Sequence, residues 1–319
     1  MSHLELKRLN GSKYIYFVKK VSFMSQKLII KKHIGVDSIT INKEKYILDK
    51  IDEISNEEFN FRKKFLSTVK DKISYNAHLP EKLEIDSIKI ENLIEGKKCR
   101  EIIDNEFAKE FIFNSNNMEG SKIPADRVRE IIDTGDTKYK DKNEVKEVQN
   151  SILAFDYLKK SFKFNLSSIK RVYNILTKDL VRDGNQKYPK GFKKEPNIVG
   201  NSETTPPEKV EEELNALINW YKKNKNNVHP LLLAFEFHRR YEFIHPFLDG
   251  NGRTGRLIMN KILISNNYQP IIIYKDNKMA YFNAIEKSKE KSKLKSYYHF
   301  MLEQTSKSYT FLLKTIQNY

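Results

Sequence analysis

Cysteine is nearly missing from this chain: one residue, Cys99, stands among 319. It has no internal partner, so a disulfide scaffold and a cysteine-based zinc site are both excluded. Long apolar runs are missing too. Pro230–Phe235 and Ile271–Ile273 fall far short of the roughly 18 residues that a membrane span needs. The N-terminus, MSHLELKRLN, lacks the apolar core of a signal peptide. A soluble, cytoplasmic protein with no membrane partner is therefore expected. Acidic residues are in deficit, with 42 Asp and Glu against 58 Lys and Arg and a net charge of +16. That balance suits nucleic acid, an anionic surface or nucleotide phosphates, and equally a composition that is merely rich in lysine. What the chain does have is material for a core. Hydrophobic residues make up 39% and aromatics 12%, which excludes disorder for most of its length.

The length fits two domains, or one large domain with an appendage. Near the N-terminus, Lys13–Val18 and Lys27–Ile30 are β-branched and aromatic around a polar turn at Ser22–Gln26, which predicts a two-stranded hairpin. Asn42–Thr68 carries helical apolar spacing, while 80–100 matches no pattern. From Glu101 onward helices dominate: 101–114, one opening at Pro124, 144–160, 166–181, 205–224 and one from Pro230. Thr205-Pro-Pro-Glu208 reads as a capped helix start. A stretch punctuated by Gly and Pro, Asp183–Pro207, interrupts them.

The chemistry concentrates in His245-Pro-Phe-Leu-Asp-Gly-Asn-Gly-Arg-Thr-Gly-Arg256. Gly250-Asn251-Gly252 can take positive φ and turn successive N–H groups into an anion nest. The helix that follows adds its unpaired N–H groups and dipole. Arg253 and Arg256 share a face of its first turn and suit a polyphosphate. Asp249 offers one carboxylate to a hard cation such as Mg²⁺. His245 suits a general base. No Gly-Lys-Ser/Thr follows, so this is not a P-loop. The residues read as phosphoryl or nucleotidyl transfer.

This run resembles the signature of the Fic (filamentation-induced-by-cAMP) family, which transfers AMP from ATP to a protein hydroxyl. The resemblance spans Glu101 to Ser306. It implies that His245 deprotonates the target Ser, Thr or Tyr and that Asp249 holds Mg²⁺. Gly250, Asn251, Gly252 and Arg253 would bind the α- and β-phosphates, Arg256 the γ-phosphate, and Phe247 would anchor the motif. The kinase branch of the family carries Lys where Gly252 stands, so Gly252 points to nucleotidyl transfer. Ser115-Asn-Asn-Met-Glu119-Gly120 resembles the family's inhibitory motif, in which the glutamate pairs with the second arginine, here Glu119 with Arg256. Gly191–Gly200, then Asn201 and Ser202, resembles the flap, a short β-hairpin that pairs with the target. Lys193 replaces its usual Arg. Val199, Gly200, Asn201 and Ser202 would lie against the nucleotide. Tyr281 and Phe282 match the aromatic pair of the adenine pocket, and Lys289 replaces a usual Asn there.

The implied fold is mainly α: a Fic-type helical core with a short β-hairpin flap over 101–319, behind a small mixed α/β region at 1–100. The implied protein is an autoinhibited AMPylator using ATP and Mg²⁺ on a protein target, itself included, with a homodimer as a further expectation. Removal of AMP, with Glu119 orienting water, is the alternative at the same site. A basic nucleic-acid-binding protein with a vestigial site is the second alternative.

Overall fold

The computed structural model describes residues 2–36, 41–73, 76, 78–182, 186–199 and 202–319. The chain begins as an antiparallel meander of β1 (Ser2–Leu9), β2 (Ser12–Phe23) and β3 (Gln26–Val36). The turn at Met24 and Ser25 lies where the hairpin was expected, and a third strand, β1, adds to it. Leu4 pairs with Phe17 and Leu6 with Ile15, across a turn at Asn10-Gly11. Both of those turn residues have positive φ, 48° and 79°. Asn-Gly is the strongest short hairpin signal there is, and it marks the strand that the apolar pattern hid.

The helix expected over 42–68 is broken into α1 (Lys43–Asp49), α2 (Ile51–Lys63) and α3 (Ser67–Lys70). Lys50, at φ −114° and ψ 17°, ends α1 and starts α2. α4 (Leu79–Leu93) fills the stretch that had no assignment. Its buried positions include Glu84, Asp86, Ser87 and Asn92, so no clean apolar stripe advertises it.

α5 (Lys97–Met118), α6 (Ala125–Thr134), α7 (Lys142–Lys160) and α8 (Leu166–Leu176) follow. Pro124 is the N-cap of α6, and α8 stops five residues before the expected Val181. The flap is a pair of two-residue strands, β4 (Ile198–Val199) and β5 (Ser202–Glu203). A short 3₁₀ turn at Pro207–Lys209 leads into α9 (Val210–Asn224). Then come α10 (Pro230–Ile244), α11 (Asn251–Ser265), α12 (Lys278–Lys287) and α13 (Leu294–Gln317).

α10 and α11 form the centre. α10 buries Leu231, Leu233, Phe235, Phe237 and Tyr241 around its circumference, as a helix does when protein encloses it. One apolar core runs from Phe23 through α5, α7, α8, α10 and α11 to Leu312. A smaller one, with Phe17, Ile30, Ile47 and Ile54, lies beneath the N-terminal sheet. Between these two lies a buried polar network. Arg62 donates to Glu84 at 3.1 Å and also bonds Glu58, which takes Lys19 as well. Glu84 also accepts from Tyr268 and lies 3.4 Å from His229. His229 caps α10, and Tyr268 follows α11. The far ends of both central helices thus converge on one carboxylate of α4.

Candidate active site

The near ends of the same two helices make the site. α10 ends at His245, which takes a left-handed conformation (φ 47°, ψ 63°). That conformation is costly for a residue other than Gly and is typical of functional positions. The loop that follows is clamped by Asn251. Its Oδ1 accepts the Phe247 N–H at 2.8 Å, and its Nδ2 donates to the Phe247 carbonyl at 2.7 Å. Phe247 is fully buried and stacks on Tyr173 at 3.9 Å, with only 4° between the ring planes. Gly250 takes φ 75° at the N-cap of α11, where its carbonyl accepts from Thr254 N at 3.1 Å. The N–H groups of the first turn are left for an anion.

The two arginines are occupied differently. Arg253 is buried and donates to Glu147 of α7 at 2.8 Å. Burial outweighs that arginine and raises the Glu147 pKa. Arg256 is buried and reaches α5: Nε to Ser115 Oγ at 3.1 Å, Nη2 to the Ser115 carbonyl at 2.9 Å and to Glu119 Oε1 at 2.7 Å. Its Nη1 is buried with no hydrogen-bond partner. α5 ends at Glu119, and Gly120 leaves the helix at φ 108°. Glu119 lies directly over α11: a Cβ on Gly252 would overlap its Oε1 and come within 2.8 Å of Arg256 Nη1. Only Gly250 takes the positive φ expected across Gly250–Gly252; Asn251 and Gly252 already belong to α11, and the missing Cβ of Gly252 leaves room for the tips of Glu119 and Arg256.

His245 lies among these groups. Burial first, then the Lys193 ammonium, hold its pKa down at about 4, so the imidazole is unprotonated at pH 7 and free to accept a proton. Tyr188 donates to Asp249 Oδ2 at 3.1 Å and orients that carboxylate. Among the described residues no cluster of three or more His, Cys, Asp or Glu could hold a metal ion by itself. One carboxylate beside an anion nest fits Mg²⁺ that arrives with phosphates.

Beyond His245 opens a cavity of about 440 Å³, lined by Ile198, Thr204, Glu242, Phe243, Met279, Phe282 and Lys289 among others. Phe282 is among its lining residues. Tyr281 is buried behind it, its hydroxyl 2.7 Å from His238 Nε2. Val199 and Ser202 are paired in the flap; Gly200 and Asn201 lie outside the described residues. Glu147, Tyr188 and Glu242 were missed in the sequence, where each is a single polar residue in no motif. Only the helical phase of Glu147, on the same side as Ser151, could have pointed to it.

Residues 163–263 match the model of the Fic/DOC family. A protein adenylyltransferase Fic of Drosophila mojavensis is 27% identical over 213 residues, 62% of this chain and 39% of that protein. A namesake from Nematostella vectensis is 37% identical over 83 residues, 26% of this chain and 19% of that one. The chain thus spans less than two fifths of these relatives' length. A Fic-domain-containing signaling protein from Bacteroides thetaiotaomicron shares the fold, with a TM-score of 0.65 and 22% identity over 75% of this chain and 96% of that one. The motif at the start of α11 thus lies within the segment, residues 163–263, that matches the Fic/DOC family model.

Proposed function

We propose that this protein is a protein adenylyltransferase held in check by its own Glu119. The observation that carries this is the Arg256–Glu119 pair, 2.7 Å long and formed across 137 residues of sequence, seated above Gly252 in the anion nest. A carboxylate on an arginine at this helix N-terminus stands where a polyphosphate would compete for the same guanidinium. The names of the relatives supply the reaction class.

The residues divide the work as follows. The nest and Arg253 bind the α- and β-phosphates. Arg256 takes the γ-phosphate once Glu119 leaves. The Glu119 side chain is 23% exposed while that of Arg256 is 1% exposed, so the glutamate is the partner that can move. Asp249, oriented by Tyr188, would hold Mg²⁺, which when bound neutralises phosphate charge. Neutral His245 takes the proton from a Ser, Thr or Tyr hydroxyl as its oxygen attacks the α-phosphorus and the bond to pyrophosphate breaks. The cavity beyond His245 receives the base. The flap aligns an extended target segment by main-chain hydrogen bonds.

Mass spectrometry of Glu119→Gly incubated with Mg·ATP, alone and in a host lysate, tests the reading. AMP adducts on hydroxyl residues, absent with Glu119→Gly/His245→Ala, are expected. A phosphate adduct in their place would overturn nucleotidyl transfer. Loss of AMP from a pre-modified target with wild type, but not with Glu119→Gly, would favour the reverse reaction.

A further inference from the structure

Lys193 is 4% exposed and lies at the foot of the flap. Its backbone N–H donates to the Pro246 carbonyl at 2.9 Å. Its ammonium donates to Asn197 Oδ1 and Thr204 Oγ1, both at 2.6 Å, and to the Ile244 carbonyl at 3.4 Å. Asn197 leads into β4, Thr204 follows β5, and Ile244 precedes His245. Asn197 is tied to the motif as well, donating to the Phe247 carbonyl at 2.9 Å. The three donors of one lysine therefore meet three oxygens, one at each end of the hairpin and one beside the base.

All three acceptors are neutral. No carboxylate among the described residues lies within ion-pairing distance of this ammonium. An unpaired buried cation costs stability, so the fold gains nothing from the charge itself that three neutral donors would not supply. The charge does act on the neighbour. Burial pushes Lys193 down to about 8, and its remaining positive charge works with burial to keep His245 neutral. The other charges facing His245 are Glu119 at the end of α5 and Asp249 in the following loop, both of which favour the protonated ring. Glu242 of α10 acts through its backbone. Glu203, Glu286 and Lys289 line the same cavity.

We propose that Lys193 is a positioning residue that fastens both ends of the flap to the carbonyl before His245, so that base and target-facing strand are set as one unit. The proposal rests on the AMP-transfer reading of the site. Its consequence is a base that stays neutral well below pH 6 and a flap that loosens as Lys193 loses its proton.

The test needs no turnover, so its failure and the failure of AMP transfer are told apart. The His245 ring is titrated by NMR in the full chain without ligand, its resonance assigned by loss in His245→Ala. Wild type is expected to titrate near pH 4. Lys193→Met should raise that midpoint by about one pH unit or more, toward the unperturbed histidine value. Lys193→Arg should restore it. Amide exchange at Ile198, Val199 and Glu203 should quicken roughly tenfold in Lys193→Met. A merely structural lysine would change exchange and leave the midpoint in place, which overturns the proposal. Should Lys193→Met fail to fold, Lys193→Arg decides alone. After correction for intrinsic exchange, flap protection should fall above about pH 8 in wild type and persist in the arginine variant. Identical profiles would overturn the proposal.

Discussion

Arg256 shows how much a single side chain can report. It is buried, bonded to Ser115 and Glu119, and still has Nη1 without a partner. A guanidinium left one bond short in the interior is a poor structural choice and a good anion receptor. Phe247 is the opposite case, a purely mechanical residue wedged between Tyr173 and Phe192. Phe247→Ala is expected to cost about 3–5 kcal/mol and to lower the melting temperature, because the cavity cannot close under a stacked ring. His245 carries a pH signature. Its folded pKa, about 4, lies below the unfolded value of about 6.5. As pH falls from 6.5 to 4 the unfolded chain takes up a proton that the folded one refuses, so stability is lost across that window. Urea melts at pH 7 and pH 5 should therefore differ less for His245→Gln than for wild type.

Elements bring these residues together, and they differ in how legible they are. The helices between 101 and 265, the flap and the His245–Arg256 run could be read, because apolar period, Pro and Gly punctuation and motif spacing agree; α12 and α13 were not assigned. β1 and α4 could not. Leu6 of β1 is exposed, and α4 buries Glu84 and Asn92 where an apolar stripe would normally be. Their partners lie far away in sequence, at Tyr268 and His229 for Glu84, so no local pattern encodes them. The same holds for the role of α7. Its apolar face was plain, but its functional residue is Glu147, 106 residues from Arg253. Glu147→Ala strips a buried arginine of its partner and is expected to cost about 3 kcal/mol. It should also weaken ATP binding measured by calorimetry in the Glu119→Gly background. Unchanged affinity would mean that α7 does not set the position of Arg253.

On the scale of the whole molecule, the N-terminal region is joined to the central helices by more than chain connectivity. Phe23 of β2 packs edge-on against His229, and Arg62 lies over the Phe23 ring. Through Glu84 the first hundred residues hold the ends of α10 and α11 opposite the site. Thermal unfolding should accordingly be one cooperative transition. Glu84→Ala should lower that single midpoint by several degrees, since it leaves Arg62 buried without one of its carboxylates. Two separate transitions in wild type would contradict a shared core. The +16 charge, prominent in the composition, contributes to the site mainly through Arg253 and Arg256, each facing a carboxylate. Glu119 is proposed to withhold Arg256 from ATP. The most direct measurement is the initial rate of AMP transfer from ATP labelled at the α-phosphate, in wild type and in Glu119→Gly. A rate at least about tenfold higher is expected in the variant, as when a charge-assisted bond of about 1.5–3 kcal/mol no longer competes. Equal rates, with ATP bound equally by both proteins, would contradict it.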